Sequence, residues 1–378
     1  MTIKKNMNKK TKILLIILPA LFLSGCGGIN IQTQTSDKTT TDLAGVFVSP
    51  NKGETFKYMS ATPSAYGNPG SISSVNVSDL KIDPSDNAAI YLTSEERGLF
   101  YTYNINDGWK QVDSLPQETI TDVAVDARDK CNIYAAIGSK LYKSDDCVRT
   151  WHEIYVDSNP SVIVTAVAVD HYNNKSVYLG TSRGEVMKSL DYGRSWKTIQ
   201  RLDDGVKKIM INPRDSRMVF VASTKNGLYR FNSNDAMNLN SLSDYKNKFD
   251  GNNWMDLNGE LKQFNLGFNF KGLVFSNSDN SMFLATDKVL LKSLNDGANW
   301  TKINLVTPEA ETNINAIAVN PKNAQELYYV TDTTFYKSID GGSTWIVKAL
   351  PTSFSGNALL IDYKDTNIIY MGIKKIKK

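Results

Sequence analysis

The chain has 378 residues, 41% of them hydrophobic, with 43 Lys and Arg against 39 Asp and Glu, three cysteines and two histidines. Five of the lysines (Lys4, Lys5, Lys9, Lys10 and Lys12) stand in the first 25 residues, which hold no acid, so beyond that stretch 38 bases face 39 acids and the formal +4 falls to about −1. A charge that vanishes outside one short segment argues against nucleic acid as a partner. His152 and His171 have no ligand-type neighbours at useful spacing, which argues against a zinc site or a Ser-His-Asp triad.

Behind the lysines an apolar run extends from Ile13 to Leu23. It is about half of the ~20 residues that cross a bilayer, so it reads as a secretion signal rather than a resident helix. The run closes on Leu23-Ser24-Gly25-Cys26, an order that resembles the lipobox of bacterial lipoproteins. The resemblance implies that residues 1–25 are removed and that Cys26 carries lipid as the new N-terminus. The protein would then be held at the cell envelope on the extracytoplasmic side of a membrane. Gly27 is not the Asp associated with inner-membrane retention in bacteria with two membranes. Residues 26–44, rich in Gly, Gln, Thr and Ser, have little to bury and are expected to form a flexible tether. The sixteen of them from Gly27 to Asp42 reach roughly 20–25 Å.

From residue 45 to 378 the sequence repeats. ITDVAVDARDKCNIYAAIGSKLYKSDDCVRTWHEI from 120, VTAVAVDHYNNKSVYLGTSRGEVMKSLDYGRSWKTI from 164 and INAIAVNPKNAQELYYVTDTTFYKSIDGGSTWIVK from 314 share one plan. An apolar run, a polar turn and a second β-rich run lead to a third run ending in Lys-Ser, then a tight turn reaching Trp. Stretches from 79, 206 and 270 follow it, giving six copies with Trp109, Trp151, Trp196, Trp254, Trp300 and Trp345 at matching places. The stretch from 356 is the first half of a seventh copy, and 45–56 supplies its second half, with Phe56 in place of Trp. Pairing those halves closes a ring and removes the open sheet edges. The expected fold is therefore all-β, a seven-bladed propeller of four-stranded antiparallel blades, expected to be monomeric.

The turns between third and fourth strands read SPNKGETF from 49, TYNINDGW from 102, SDDCVRTW from 144, SLDYGRSW from 189, SLNDGANW from 293 and SIDGGSTW from 338. The shared S-x-D-x-G-x-T-W resembles the Asp-box (BNR) repeat, over about nine-tenths of the chain beyond the signal. In that family the box is structural, which places Asn51, Asn104, Asp146, Asp191, Asn295 and Asp340 in turn-forming rather than catalytic roles. Their acceptor oxygens can bind backbone N–H groups of the same turn, and the fifth position needs a left-handed φ. Asn106 stands there in one copy, as a residue tolerant of that geometry. Val148 stands there in another, and its turn is expected to deviate. The fourth full copy has lost the pattern, and residues 235–250 are expected to form a long exposed loop. Cys131 and Cys147 lie in two turns opening on one face of the same blade, so they are expected to form a disulfide outside the cytoplasm.

Ligands of propellers bind on the face opposite the boxes. Its expected residues include Glu95, Glu96 and Arg97 in one copy, Arg183, Glu185 and Arg201 in another, and Lys225 in a third. Two functions follow from what Asp-box proteins resemble. Sialidases and some endoglucanases are glycoside hydrolases, which need two facing carboxylates; sialidases add three arginines, a Tyr–Glu nucleophile pair and an Arg-Ile-Pro element that this chain lacks. Sortilin-type receptors and the photosystem-assembly (Ycf48-like) propellers are binding scaffolds. The compact ring and lipid tether point to the second, a non-enzymatic, membrane-anchored platform for a protein or glycan ligand, with no cofactor or metal and no catalytic residue assigned.

Overall fold

The computed structural model describes residues 42–63, 70–233, 253–264 and 268–375, together with the backbone of 31–33. Cys26 and residues 235–250 lie outside the described residues. Seven four-stranded antiparallel sheets follow one another around a ring. Blades 1 to 6 occupy 77–111, 120–156, 164–201, 206–256, 270–303 and 316–349. In each, chain order runs from the innermost strand to the outermost; blade 3, with Val164–Val169, Val177–Thr181, Glu185–Ser189 and Lys197–Arg201, is typical. Blade 7 takes its two inner strands, Ser355–Ile361 and Ile369–Lys374, from the C-terminal end and its two outer strands, Gly45–Ser49 and Lys57–Tyr58, from the N-terminal end. Gly45 pairs with Ile373 and Ser49 with Ile369, so the ring is closed by hydrogen bonds between the two ends of the chain.

The core lies between blades, because each sheet is covered on both faces. The second strand is therefore buried along its whole length, as in Ile90–Ser94, Ile133–Ile137 and Val177–Thr181, and it reads as a continuous apolar run instead of an alternating one. One aromatic per blade sits at the same register of that strand: Tyr91, Tyr134, Tyr178, Phe220, Phe283, Tyr328 and Tyr370, all buried. Nearer the axis the wedge narrows and small residues are required. A Cβ on Gly180 would lie 2.4 Å from Val206 of the next blade, so blades 3 and 4 could not close against each other with any larger residue there.

The repeated turns are nearly superimposable in their bonding. The Ser hydroxyl accepts the N–H of the fifth residue in five of them: Gly53 at 2.8 Å, Val148 at 3.0 Å, Gly193 at 2.8 Å, Gly297 at 2.9 Å and Gly342 at 2.8 Å. The side-chain oxygen of the third residue, in Asn51, Asp146, Asp191, Asn295 and Asp340, accepts the N–H of the seventh at 2.8–2.9 Å. Trp109, Trp196 and Trp345 then donate Nε1–H to carbonyls at the outer edge of the preceding blade, Met59, Ile154 and Asn304.

Three expectations need correction. The Val148 turn does not deviate: Val148 takes φ 65° and Cys147 φ 58°, beside the Tyr192–Gly193 pair at 63° and 90°. Val148 is buried in the core, and the Cys131–Cys147 bridge present here ties its turn to the neighbouring one, so the surroundings hold a β-branched residue in a region it disfavours. Asn106 does not take left-handed geometry. Asn104 instead caps a 3₁₀ turn, Ile105–Asp107, and Gly108 carries the positive φ of 84°. Finally, the tether is not wholly without structure: Ile31–Thr33 runs parallel to the outer strand of blade 6, Ile31 beside Trp345 and Thr33 beside Val347. An outermost strand has a free row of backbone N–H and C=O groups, which an extended segment can satisfy.

Candidate functional site

The two faces of the ring differ in what their polar groups are doing. On the face of the repeated turns, the link from first to second strand of every blade begins with a residue that accepts the N–H two places on: Asp83, Asp126, Asp170, Asn212, Ser276, Asn320 and Asp362. With the repeated turns themselves, two self-bonded turns per blade engage most acids of that face in local structure. Hydrogen bonds from Thr150, in side chain and backbone, hold the Asp146 carboxyl down at about 2. The opposite face is formed by second-to-third strand links and blade-to-blade connections, and charge is available there.

At the axis, six of the seven innermost strands carry a β-bulge at the same step, and in blade 6 Asn315 stands at the matching place just before its strand, its N–H donated to Val330. The bulged residues are Ser78, Thr121, Thr165, Lys207, Lys271 and Asn357, and with Asn315 they ring the channel mouth on the open face. Thr121, Thr165 and Asn357 reach the first strand of the next blade, at Val164, Val206 and Val77. Bulges re-aim side chains in this way. Blades 4 and 5 place lysines at this position instead. Burial pulls the Lys271 ammonium below the ordinary lysine range, with Lys207 and Lys374 acting in the same sense and Asp287 and Asp332 opposing.

One residue further along, Asp79, Asp122 and Lys208 meet from blades 1, 2 and 4. Lys208 Nζ lies 2.7 Å from Asp122 Oδ1 and 3.3 Å from Asp79 Oδ2, and Lys81 is also 3.3 Å from Asp79. The bridge passes Ala166, the small residue of blade 3 at the same register. Burial raises the Asp79 carboxyl, but Lys81 and Lys208 outweigh it and hold it at about 2. Lys208 is displaced upward, burial being overcome by Asp122 and Asp79.

On the rim between blades 2 and 3, Arg183 joins two acids. Its Nε donates to Glu185 at 2.9 Å and its Nη2 to Asp157 at 3.2 Å. Arg201 Nη2 is 3.6 Å from Glu185, Thr181 donates to Glu185 at 2.8 Å, and Tyr155 donates to Asp157 at 3.0 Å. The acids are buried, 2% and 5% exposed in their side chains, whereas Arg183 is 46% and Arg201 72% exposed. Burial raises the Glu185 carboxyl but Arg183 and Thr181 bring it below its ordinary value. Burial, then Asp157, pushes the Tyr155 phenol up to about 12. Val156 and Ile163, 49% and 42% exposed, flank the cluster.

Of the residues expected on this face, Arg183, Glu185 and Arg201 come together. Glu95, Glu96 and Arg97 lie on blade 1, where Glu95 is bonded to Lys374 at the ring closure and Glu96 takes φ 97°. Lys225 lies exposed on blade 4, its amide held by Asp204. Asp157 and the Asp79–Asp122–Lys208 bridge were not anticipated. The signal for the bridge was present, in charged residues set inside innermost strands that are otherwise apolar; Asp157 carries no such mark. Among the described residues no cluster of three or more His, Cys, Asp or Glu is placed to hold a metal ion.

No family model matches the chain, and no curated protein matches its sequence. Solved structures do match its shape. A GH74 xyloglucanase from Xanthomonas campestris aligns over 79% of this chain with a TM-score of 0.62 and 17% identity. The GH74 enzyme of Niastella koreensis aligns over 83% with 0.60 and 15%. YCF48 bound to a D1 peptide aligns over 79% with 0.57 and 12%, covering 93% of that chain. The chain spans about half the length of the two GH74 structures, 51% and 53%. These likenesses establish the propeller fold alone. The fold is shared by hydrolases and by a peptide-binding protein, so function has to be argued from the site.

Proposed function

We propose that this chain is an extracytoplasmic lipoprotein, anchored through Cys26, whose Asp-box-type propeller is a non-enzymatic platform for a polypeptide partner. The observation that carries the reading is the arrangement of acids at the Arg183 rim, where Glu185 and Asp157 are both bound to one arginine. Glycoside hydrolysis needs one carboxyl kept protonated by a raised pKa and a second free to act as base or nucleophile. Here Glu185 is displaced the other way, and Glu185 and Asp157 are both tied to Arg183. A phenol nucleophile would need to ionise readily, whereas Tyr155 is pushed up to about 12, by burial and by Asp157. Charged groups fixed by one another around exposed Val156 and Ile163 suit recognition, in which half-exposed arginines beside apolar side chains are recurrent anchors. The likeness to YCF48, which was solved with a D1 peptide, supports a polypeptide ligand by analogy of fold.

The test is capture from envelope extract by the lipidated protein, with Arg183→Ala as the comparison, alongside a glycoside panel. Polypeptide capture that falls at least about fivefold in Arg183→Ala supports the reading, since truncating an anchor of this kind costs more than ~1 kcal/mol. Turnover of any glycoside that is abolished by Glu185→Gln would replace it with the hydrolase reading.

A further inference from the structure

Ile31 enters its pairing beside Trp345, the residue that ends a repeated turn, and the strand then runs toward the open face. The chain therefore reaches the propeller on the repeated-turn face. Cys26 is five residues before Ile31, a distance of at most about 18 Å of extended chain. A second, independent observation concerns the same face. Of the seven large hydrophobic side chains that stand exposed among the described residues, four occupy its turn tips: Tyr103 at 45%, Tyr172 at 55%, Leu294 at 69% and Ile339 at 60%. They belong to blades 1, 3, 5 and 6, so they are distributed around the ring, unlike an edge patch. Val156 and Ile163 are on the opposite face, beside Arg183.

We infer that the repeated-turn face is the membrane-facing surface of the anchored protein, with Tyr103, Tyr172, Leu294 and Ile339 touching the headgroup region and the Arg183 face directed away. This rests on the lipid anchor at Cys26 proposed above. Tyrosines together with aliphatic tips suit an interface where one end of a side chain is wet and the other apolar. The many turn acids make this no basic patch, so anionic lipid does not supply the attraction. The contact is apolar and works with the anchor, orienting a protein that the lipid already holds.

The experiment uses the full lipidated chain in phosphatidylcholine vesicles containing lipid-borne fluorescence quencher. An environment-sensitive dye is placed at position 172 or 339 through Tyr172→Cys or Ile339→Cys, and in separate samples at 97 through Arg97→Cys. Acyl-chain incorporation into Cys26 is measured first; its absence overturns the anchor and this inference together. With acylation present, the dyes at 172 and 339 are expected to be quenched at least about twofold and the dye at 97 unaffected. Quenching at 97, or equal response at all three positions, overturns the orientation and leaves the anchor standing. With the dye kept at 339, Tyr103→Ser, Tyr172→Ser and Leu294→Ser together, all on exposed tips, should abolish the difference between faces while acylation is unchanged. Persistence of the difference in that variant overturns the role given to the tips.

Discussion

Replacing Lys208 by Met tests whether the charges at the channel mouth hold the blades together. Met keeps the apolar stem and removes the ammonium that joins blades 1, 2 and 4. Asp122 is 1% exposed in its side chain and would retain only the N–H groups of Val123 at 2.9 Å and Val167 at 3.1 Å. Asp79, 38% exposed, would retain Lys81. Breaking a buried ion pair by removing one partner costs about 3–5 kcal/mol. The two remaining N–H groups and the water-accessible channel reduce this, so a loss of about 2–4 kcal/mol is expected. Chemical unfolding followed by tryptophan fluorescence gives the value where refolding is reversible. Asp122→Asn and the double variant complete a cycle, in which the pair should couple by at least about 1.5 kcal/mol. A coupling below about 0.5 kcal/mol would refute the claim that this bridge clasps the ring.

Three further outcomes follow from the same geometry. Serine at both Cys131 and Cys147 opens a loop with a sequence separation of 16 and should cost roughly 2–3 kcal/mol, read as a lower unfolding midpoint; two alkylatable thiols in unreduced wild-type protein would contradict the bridge. Trp345→Phe should destabilise by about 1 kcal/mol more than Trp300→Phe, because Trp345 Nε1 donates to Asn304 at 2.8 Å whereas Trp300 Nε1 has no partner; equal losses would remove the stapling role. Acid should weaken the ring between about pH 4 and pH 2. The folded Asp79 carboxyl is held at about 2 and the unfolded one titrates near 3.9, so its stabilisation is present above pH 4 and lost as pH falls toward 2. Asp79→Asn should flatten that part of the profile, and an unchanged slope would show that other acids set it.

The ring was legible because a seven-fold repeat states the same packing problem seven times. Four strands per copy, the turn pattern and the split seventh copy each follow from local chemistry that sequence records directly. The innermost strands were harder. Lys208 meets Asp122 and Asp79 across 86 and 129 residues, a contact set by ring curvature that no repeat predicts. Val148 shows the opposite limit, since its side chain argues against the φ it adopts and tertiary packing overrides that preference. At the rim, Arg183 and Glu185 were identifiable from their loop. Asp157 was not, because it belongs to the neighbouring blade and is brought in only when the sheets close.

The central claim is that the open face binds polypeptide and does not turn over glycan. A photo-crosslinking amino acid at position 183 of the lipidated protein, activated in native envelope, tests it most directly. Covalent polypeptide adducts are expected from position 183 and none from position 322 on the repeated-turn face. Absence of adducts at 183, with release of sugar that Glu185→Gln abolishes, would contradict it.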